Sequence, residues 1–263
     1  MIELKDVTYT YSPRTPFEKT AISDVSLIIE EGSLVGIIGQ TGSGKSTLIQ
    51  LINGLLKPTK GTVLFNGEKV DKVQTKIGMV FQYPENQIFE ESIYKELAFG
   101  PKNIGMTDSE IQFAIKNAVS IIGIDSDLSQ SPHNLSGGQK RKIAIASILT
   151  MNPQTLILDE PTAGLDPRAR RNLVETIVNM NKEGKTIIIV SHSMEEIAEI
   201  ASRIIVLQDG KIFADGTPGE IFSQTDALLN IGLDIPEITR YMLSKGYPNI
   251  WTVKQAEEIL RKI

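Results

Sequence analysis

The chain has 263 residues, 41% of them hydrophobic, and a formal net charge of −5 at pH 7. That is apolar enough for a real core and excludes a disordered chain, and the length allows one large α/β domain or a domain with an appendage. The absence of cysteine excludes disulfides and Cys-based zinc sites and fits a reducing compartment, and the mild acidity weighs against nucleic acid as the main ligand.

Residues 1–12 carry Glu3, Lys5 and Asp6 where a signal peptide needs an apolar stretch. Residues 2–9 and 22–30 alternate apolar and polar side chains imperfectly, as half-buried strands do. Residues 34–38 are continuously apolar and end in Gly-rich sequence, the pattern of a buried parallel strand. Leu48, Ile49, Ile52 and Leu55 are spaced for a helix over 46–56, and 61–65 reads as a strand. The middle, 83–151, reads as mostly helix. Ser92 can cap a helix through 97, and Thr107 with Glu110 forms a capping-box pattern opening a helix to 122. Strand and helix then alternate: strands at 155–158, 186–190 and 204–207, and helices at 169–182 and 194–201. This alternation predicts a parallel sheet with helices on both faces. Residues 204–207 and 211–214 form a last hairpin, with turns at Gly210 and Gly216. Beyond Pro218 the chain reads as helical, with breaks at Gly232, Pro236 and Gly246. The longest apolar runs, such as 187–190, fall far short of the ~20 residues that cross a bilayer. Membrane association is expected only through partners.

Three segments carry chemistry. Gly39-Gln40-Thr41-Gly42-Ser43-Gly44-Lys45-Ser46 matches G-x-x-x-x-G-K-[ST] between a buried strand and a helix, where that motif must sit. Its glycines let backbone N–H groups turn in around phosphate oxygens, and the helix N-terminus adds partial positive charge. Lys45 is expected on the β- and γ-phosphates and Ser46 on Mg²⁺. The strand at 155–158 runs into Asp159 and Glu160, suited to hold Mg²⁺ and to polarise an attacking water as general base. Taken alone, acidic residues also simply begin loops after strands. Ser136-Gly137-Gly138-Gln139 opens a further helix; it is either a second anion-binding helix start or a plain N-cap by Ser136. One nucleotide hardly needs two such helix starts from one chain, unless two copies meet face to face.

These three segments, in this order, resemble the ABC ATPases over about residues 1–218. The resemblance implies a P-loop ATPase core with a parallel sheet, an N-terminal antiparallel β subdomain and an inserted helical subdomain at about 83–151. Residues 1–219 would form the ATPase domain and 220–263 a helical appendage. It also implies ATP and Mg²⁺ as cofactors, with ATP held between residues 39–47, through Thr47, of one chain and Ser136 to Gln139 of its partner. Tyr11 matches the aromatic that stacks on adenine. Gln82 matches the glutamine that senses Mg²⁺, Asp166 lies in the loop that crosses the dimer interface, and His192 matches the switch histidine at the γ-phosphate. The position of His192 directly after an apolar strand supports it independently.

Residues 81–89, with 91–101, resemble the segment after the sensing glutamine in the energy-coupling-factor ATPases, which power uptake of vitamins and of cobalt or nickel ions. The insertion at 13–17, the stretch 191–194 and the region after Pro218 resemble the second of the two paralogous ATPases of such systems. The resemblance implies a peripheral protein on the cytoplasmic face of the membrane. Its expected partners are a paralogous ATPase, with a homodimer left open, a transmembrane scaffold and a substrate-binding membrane subunit. Ile88, Phe89 and Ile93 are either an apolar wall for a helix of the membrane subunit or core of the helical subdomain. The apolar set Leu228, Leu229, Ile231, Leu233, Ile235 and Ile238 offers a further dimer contact. An importer for another solute stays open, because a different polypeptide holds the substrate. Among ABC ATPases that move nothing, the long coiled coil, the zinc cysteines and the doubled cassette are all missing from this sequence.

Overall fold

In the computed structural model, which describes residues 1–261, the chain opens on a hairpin of β1 (Ile2–Tyr11) and β2 (Lys19–Ile29). The strands pair antiparallel, Ile2 opposite Ile29 and Tyr11 opposite Lys19. The expected alternation is present: Ile2, Leu4, Val7, Val25, Leu27 and Ile29 are buried. Cross-strand pairing carries β1 two residues further than the side-chain pattern alone predicts, and those residues include Tyr11. Next come β3 (Leu34–Gly39), buried throughout, and α1 (Lys45–Asn53). Gly54 ends α1 as its C-cap, so Leu55, expected on the helix's apolar face, is exposed instead. β4 (Lys60–Phe65) and the short β5 (Glu68–Lys69) complete an antiparallel sheet of order β2-β1-β4-β5.

Of the described residues, 1–73 and 188–261 form one compact unit and 74–187 another. The second unit begins with β6 (Ile77–Val80), a strand absent from the sequence-based expectations. It is a four-residue apolar run, too short to declare itself by periodicity. After a 3₁₀ turn at Pro84–Gln87 come α2 (Ile93–Asn103), α3 (Asp108–Ile122) and α4 (Gly137–Leu149). Ser92 caps α2 and Thr107 with Glu110 makes the capping box of α3, as their spacing predicts. α2 runs past the expected end, through Pro101 in its last turns. The three helices pack through Ile93, Leu97, Ile111, Ile115, Ile143 and Ala146. β7 (Thr155–Asp159) lies parallel to β6, Ile77 opposite Thr155 and Val80 opposite Leu158. α5 (Pro167–Lys182) starts two residues earlier than its apolar spacing indicates, because Asp166 caps it and Pro167 suits the first helical position.

β8 (Thr186–Val190) carries the chain back to the first unit, followed by α6 (Met194–Ile200), β9 (Arg203–Gln208) and β10 (Lys211–Gly216). β9 runs parallel to β3, Gly39 opposite Leu207, and antiparallel to β10. The parallel pairs β3/β9 and β6/β7 and the separate antiparallel sheet give the expected α/β architecture. Four short helices follow: α7 (Pro218–Phe222), α8 (Thr225–Asn230), α9 (Glu237–Ser244) and α10 (Val253–Leu260). Met242, Ile250 and Ala256 form a small core between α9 and α10. Leu228, Leu233 and Ile235 are buried within the chain itself, so of the apolar set offered as a dimer contact only Leu229 is strongly exposed. No helix among the described residues is long and apolar enough to cross a membrane.

Candidate functional site

In the first unit, β3 delivers residues 39–44 to the N-terminus of α1. Gly44 caps the helix from the left-handed region, φ 105°, and a Cβ there would lie 2.5 Å from the Ala21 carbonyl oxygen. Only glycine fits both demands. A glycine cap supplies no side-chain acceptor to the first N–H groups of the helix, and an anion is the acceptor that suits them and the positive end of the helix dipole. Lys45 is 7% exposed, and its Nζ donates to the carbonyls of Gly39, at 2.7 Å, and Gln40, at 2.9 Å. The Ser43 hydroxyl is buried with no hydrogen-bond partner among the described residues. Thr41 and Gly42 form the exposed tip of the loop, Ser46 is exposed on the first turn of α1, and Thr47 is buried.

The Tyr11 hydroxyl lies 3.1 Å from Thr47 Oγ1, and its ring stands edge-on to Tyr9 at 4.8 Å. Tyr11, Lys45 and Thr47 line a cleft of about 190 Å³. His192 follows β8, just before Ser193 caps α6. Burial, and then the nearby Lys45 ammonium, hold the His192 imidazole below its ordinary range, so it is neutral at neutral pH. Tyr11, residues 39–47 and His192 therefore come together in one unit.

In the second unit, Gln82 is exposed just beyond β6, followed by Tyr83 at φ 55°. β7 ends on Asp159, 8% exposed, and Glu160 turns the chain at φ 50°. Positive φ is uncommon for a glutamate or a tyrosine and marks a place where surrounding structure overrides local preference. Ser136 caps α4 by accepting from the Gln139 N–H, while Gln139 Oε1 accepts from the Ser136 N–H at 3.0 Å and hydroxyl at 2.9 Å. Gly137 and Gly138 are the first helical residues. Asp166 accepts from the Ala169 and Arg168 N–H groups, which hold its carboxyl below the usual range. Ser136, Gln139 and Asp166 line one cavity of about 230 Å³ with Leu165 and Leu173.

The ABC transporter family profile matches residues 22–163. The energy-coupling factor transporter ATP-binding protein EcfA2 of Clostridium tetani is 47% identical, aligned over 100% of this chain and 96% of its own length. The protein of that name from Clostridium perfringens is 45% identical over 100% and 98%. The chain belongs to the energy-coupling factor ATP-binding proteins of the ABC transporter family. Among solved structures, cbiO1 of Clostridium perfringens, part of the ABC transporter complex cbiONQ, superposes with a TM-score of 0.77 at 35% identity, over 92% of this chain and 98% of that one. A dimeric ATP-binding cassette in a post-hydrolysis state with ADP and Pi gives 0.74 at 30% identity, over 83% and 99%.

Three features of this ABC ATPase are not legible in the sequence alone. Lys19 and Ala21 line the Tyr11 cleft, placed there by the hairpin register, which a β-strand pattern does not specify across a long loop. Arg141 on α4 is 5% exposed and joins three segments of the second unit. It pairs with Glu85, Nη2 to Oε1 at 3.1 Å, and donates to the carbonyls of Pro161, at 3.3 Å, and Ala163. The buried Glu96 carboxylate accepts from the N–H groups of Phe89, at 3.2 Å, and Glu90, at 3.1 Å. Phe89 stays 58% exposed, with its ring edge-to-face on Phe99 at 4.8 Å. Of the two alternatives for Ile88 and Ile93, wall or core of the helical subdomain, burial supports the core.

Proposed function

We propose that this chain binds and hydrolyses ATP to energise an energy-coupling-factor membrane importer, as one half of an ATP-sandwich dimer. The observation that carries the reading is the α1 N-terminus. Gly44 caps it without a side chain, the Ser43 hydroxyl is buried without a partner among the described residues, and Tyr11 is tied to Thr47 beside a cleft. That set suits a nucleotide: phosphates on the loop and helix N-terminus, adenine on the Tyr11 ring, and Lys45 with neutral His192 toward the γ-phosphate. By resemblance to the ABC ATPases, Ser46, Gln82 and Asp159 are each assigned to Mg²⁺, which would neutralise charge on the phosphates. No three His, Cys, Asp or Glu side chains among the described residues form a metal cage of their own.

Glu160, directly after β7 with its backbone at φ 50°, is the general base. Ser136 to Gln139 and Asp166 act on nucleotide held by a partner chain. Residues 1–219 are the ATPase domain, with 83–151 its helical subdomain, and 220–263 the appendage. The partners are a paralogous ATPase and membrane subunits that place this chain at the cytoplasmic face, and the exposed Phe89–Phe99 pair supplies an apolar contact for a membrane-subunit helix. Glu160→Gln tests the chemistry. The amide cannot take the proton of the attacking water, so the variant should bind ATP normally, lose nearly all turnover and accumulate as an ATP-bound dimer with its paralogue. Turnover near wild type would remove Glu160 as base.

A further inference from the structure

The segment between α8 and α9 returns to the phosphate loop. Gly232 sits at φ 69°, and a Cβ there would lie 1.8 Å from Gln40 Nε2 and 3.1 Å from its Cδ. The Gln40 carboxamide thus rests directly on the Gly232 backbone. The Gln40 backbone carbonyl accepts from Lys45 Nζ at 2.9 Å and the Ser43 N–H at 3.1 Å. A single residue of the phosphate loop therefore lies against the C-terminal segment through its side chain and is bonded to the loop's lysine through its backbone.

Five residues further on, the Glu237 N–H donates to Glu195 Oε1 at 3.1 Å. Glu195 lies in the first turn of α6, just past His192, and its other oxygen accepts from the Ser193 hydroxyl at 3.4 Å. The chain between these two anchors is itself fixed. Leu233 and Ile235 are buried, and Asp234 Oδ1 accepts from the Ile235 N–H at 2.9 Å and pairs with Arg240. One short stretch thus touches both loops that carry candidate phosphate-facing residues in this unit.

We propose that residues 232–237 are a strap that fixes the phosphate loop and the His192 loop for ATP, with Gly232, through Gln40, and Glu195 as positioning residues. The proposal rests on the ATP-site reading. A loop held before the ligand arrives loses less entropy on binding it. The strap would also let any displacement of the C-terminal helices alter nucleotide affinity.

The test measures the Kd of a fluorescent, non-hydrolysable ATP analogue and the Tm on the full chain. Gly232→Ala should weaken binding about tenfold. Gly246→Ala is the control, because Gly246 also has positive φ, 83°, but nothing lies within 4 Å of its Cβ position. It should lower Tm and leave Kd unchanged. On a Gln40→Ala background the clash is gone, so Gly232→Ala should then cost no more than about twofold. Glu195→Ala should weaken binding about threefold, while Glu195→Gln, which keeps the acceptor, should not. The strap is overturned if Gly232→Ala binds no more weakly than Gly246→Ala, if the Gly232 and Gln40 effects simply add, or if both Glu195 variants bind alike. The Glu195 pair decides between strap and no strap even where Gly232→Ala does not fold. A wild-type chain that fails to bind the analogue would instead sink the ATP reading, and the strap with it.

Discussion

Two helices in this chain start on glycine-rich sequence, and they treat their first turns in opposite ways. α1 is capped by Gly44, which brings no side chain, and Lys45 is held by the carbonyls of its own loop. α4 closes on itself: Ser136 and Gln139 satisfy each other in a capping box. Its buried cation, Arg141, is turned away to Glu85 and the Pro161 and Ala163 carbonyls. The first helix start is thus built around something from outside, and the second is already satisfied within the chain. A shared Gly-rich signature does not imply equal readiness to bind an anion. A phosphate reaching α4 would have to compete with an existing cap, as the proposed engagement with a partner's nucleotide requires.

The contrast breaks most visibly at the two buried cations. Arg141→Ala leaves Glu85 without its partner and frees two loops, so it should cost about 3–5 kcal/mol of stability in denaturant unfolding. It should not weaken ATP binding by single chains as Lys45→Ala does. On the proposed function Lys45→Ala takes away the cation meant for phosphate, and it should weaken ATP about 100-fold with little loss of stability, as read by titration calorimetry. If the two variants exchanged these phenotypes, the division between a ligand-facing and a self-satisfied helix start would be wrong.

Ser136→Ala is a finer probe. Loss of the cap should cost about 1 kcal/mol of stability and leave single-chain ATP affinity unchanged, while turnover of the assembled dimer falls. A loss of affinity in isolated chains would place Ser136 on its own chain's nucleotide. The smallest effect is a titration. The His192 midpoint, followed by NMR, should lie below 6.5 and rise toward it in Lys45→Ala, since removing a nearby cation makes protonation easier. The folded chain holds this proton less tightly than the unfolded one. His192 therefore costs stability as pH falls below about 6.5 and costs none well above it. A midpoint unmoved by Lys45→Ala would separate the two residues.

Most of the strands and helices, and all three chemical segments, were legible because each is written in a few consecutive residues. The buried run 34–38 ending in Gly39, the capping pair Thr107 and Glu110, and the apolar strand ending in Asp159 specify their own backbone. β6 was not, because four apolar residues carry no period. Ile88, Phe89 and Ile93 read equally as wall or core, and burial divides them, since hydropathy alone does not say which side of a turn faces solvent.

By itself the sequence determined the family and the order of the three motifs, because short-range spacing fixes the turn and helix start that each motif requires. Only the tertiary structure decided who stands beside whom. Strand pairing set Lys19 opposite Tyr11, packing brought Arg141 to Glu85, 56 residues away, and the fold of the C-terminal segment laid Gly232 on Gln40. These neighbours are far apart along the chain, and their meeting depends on the register of strands and the packing of helices, which no local pattern encodes.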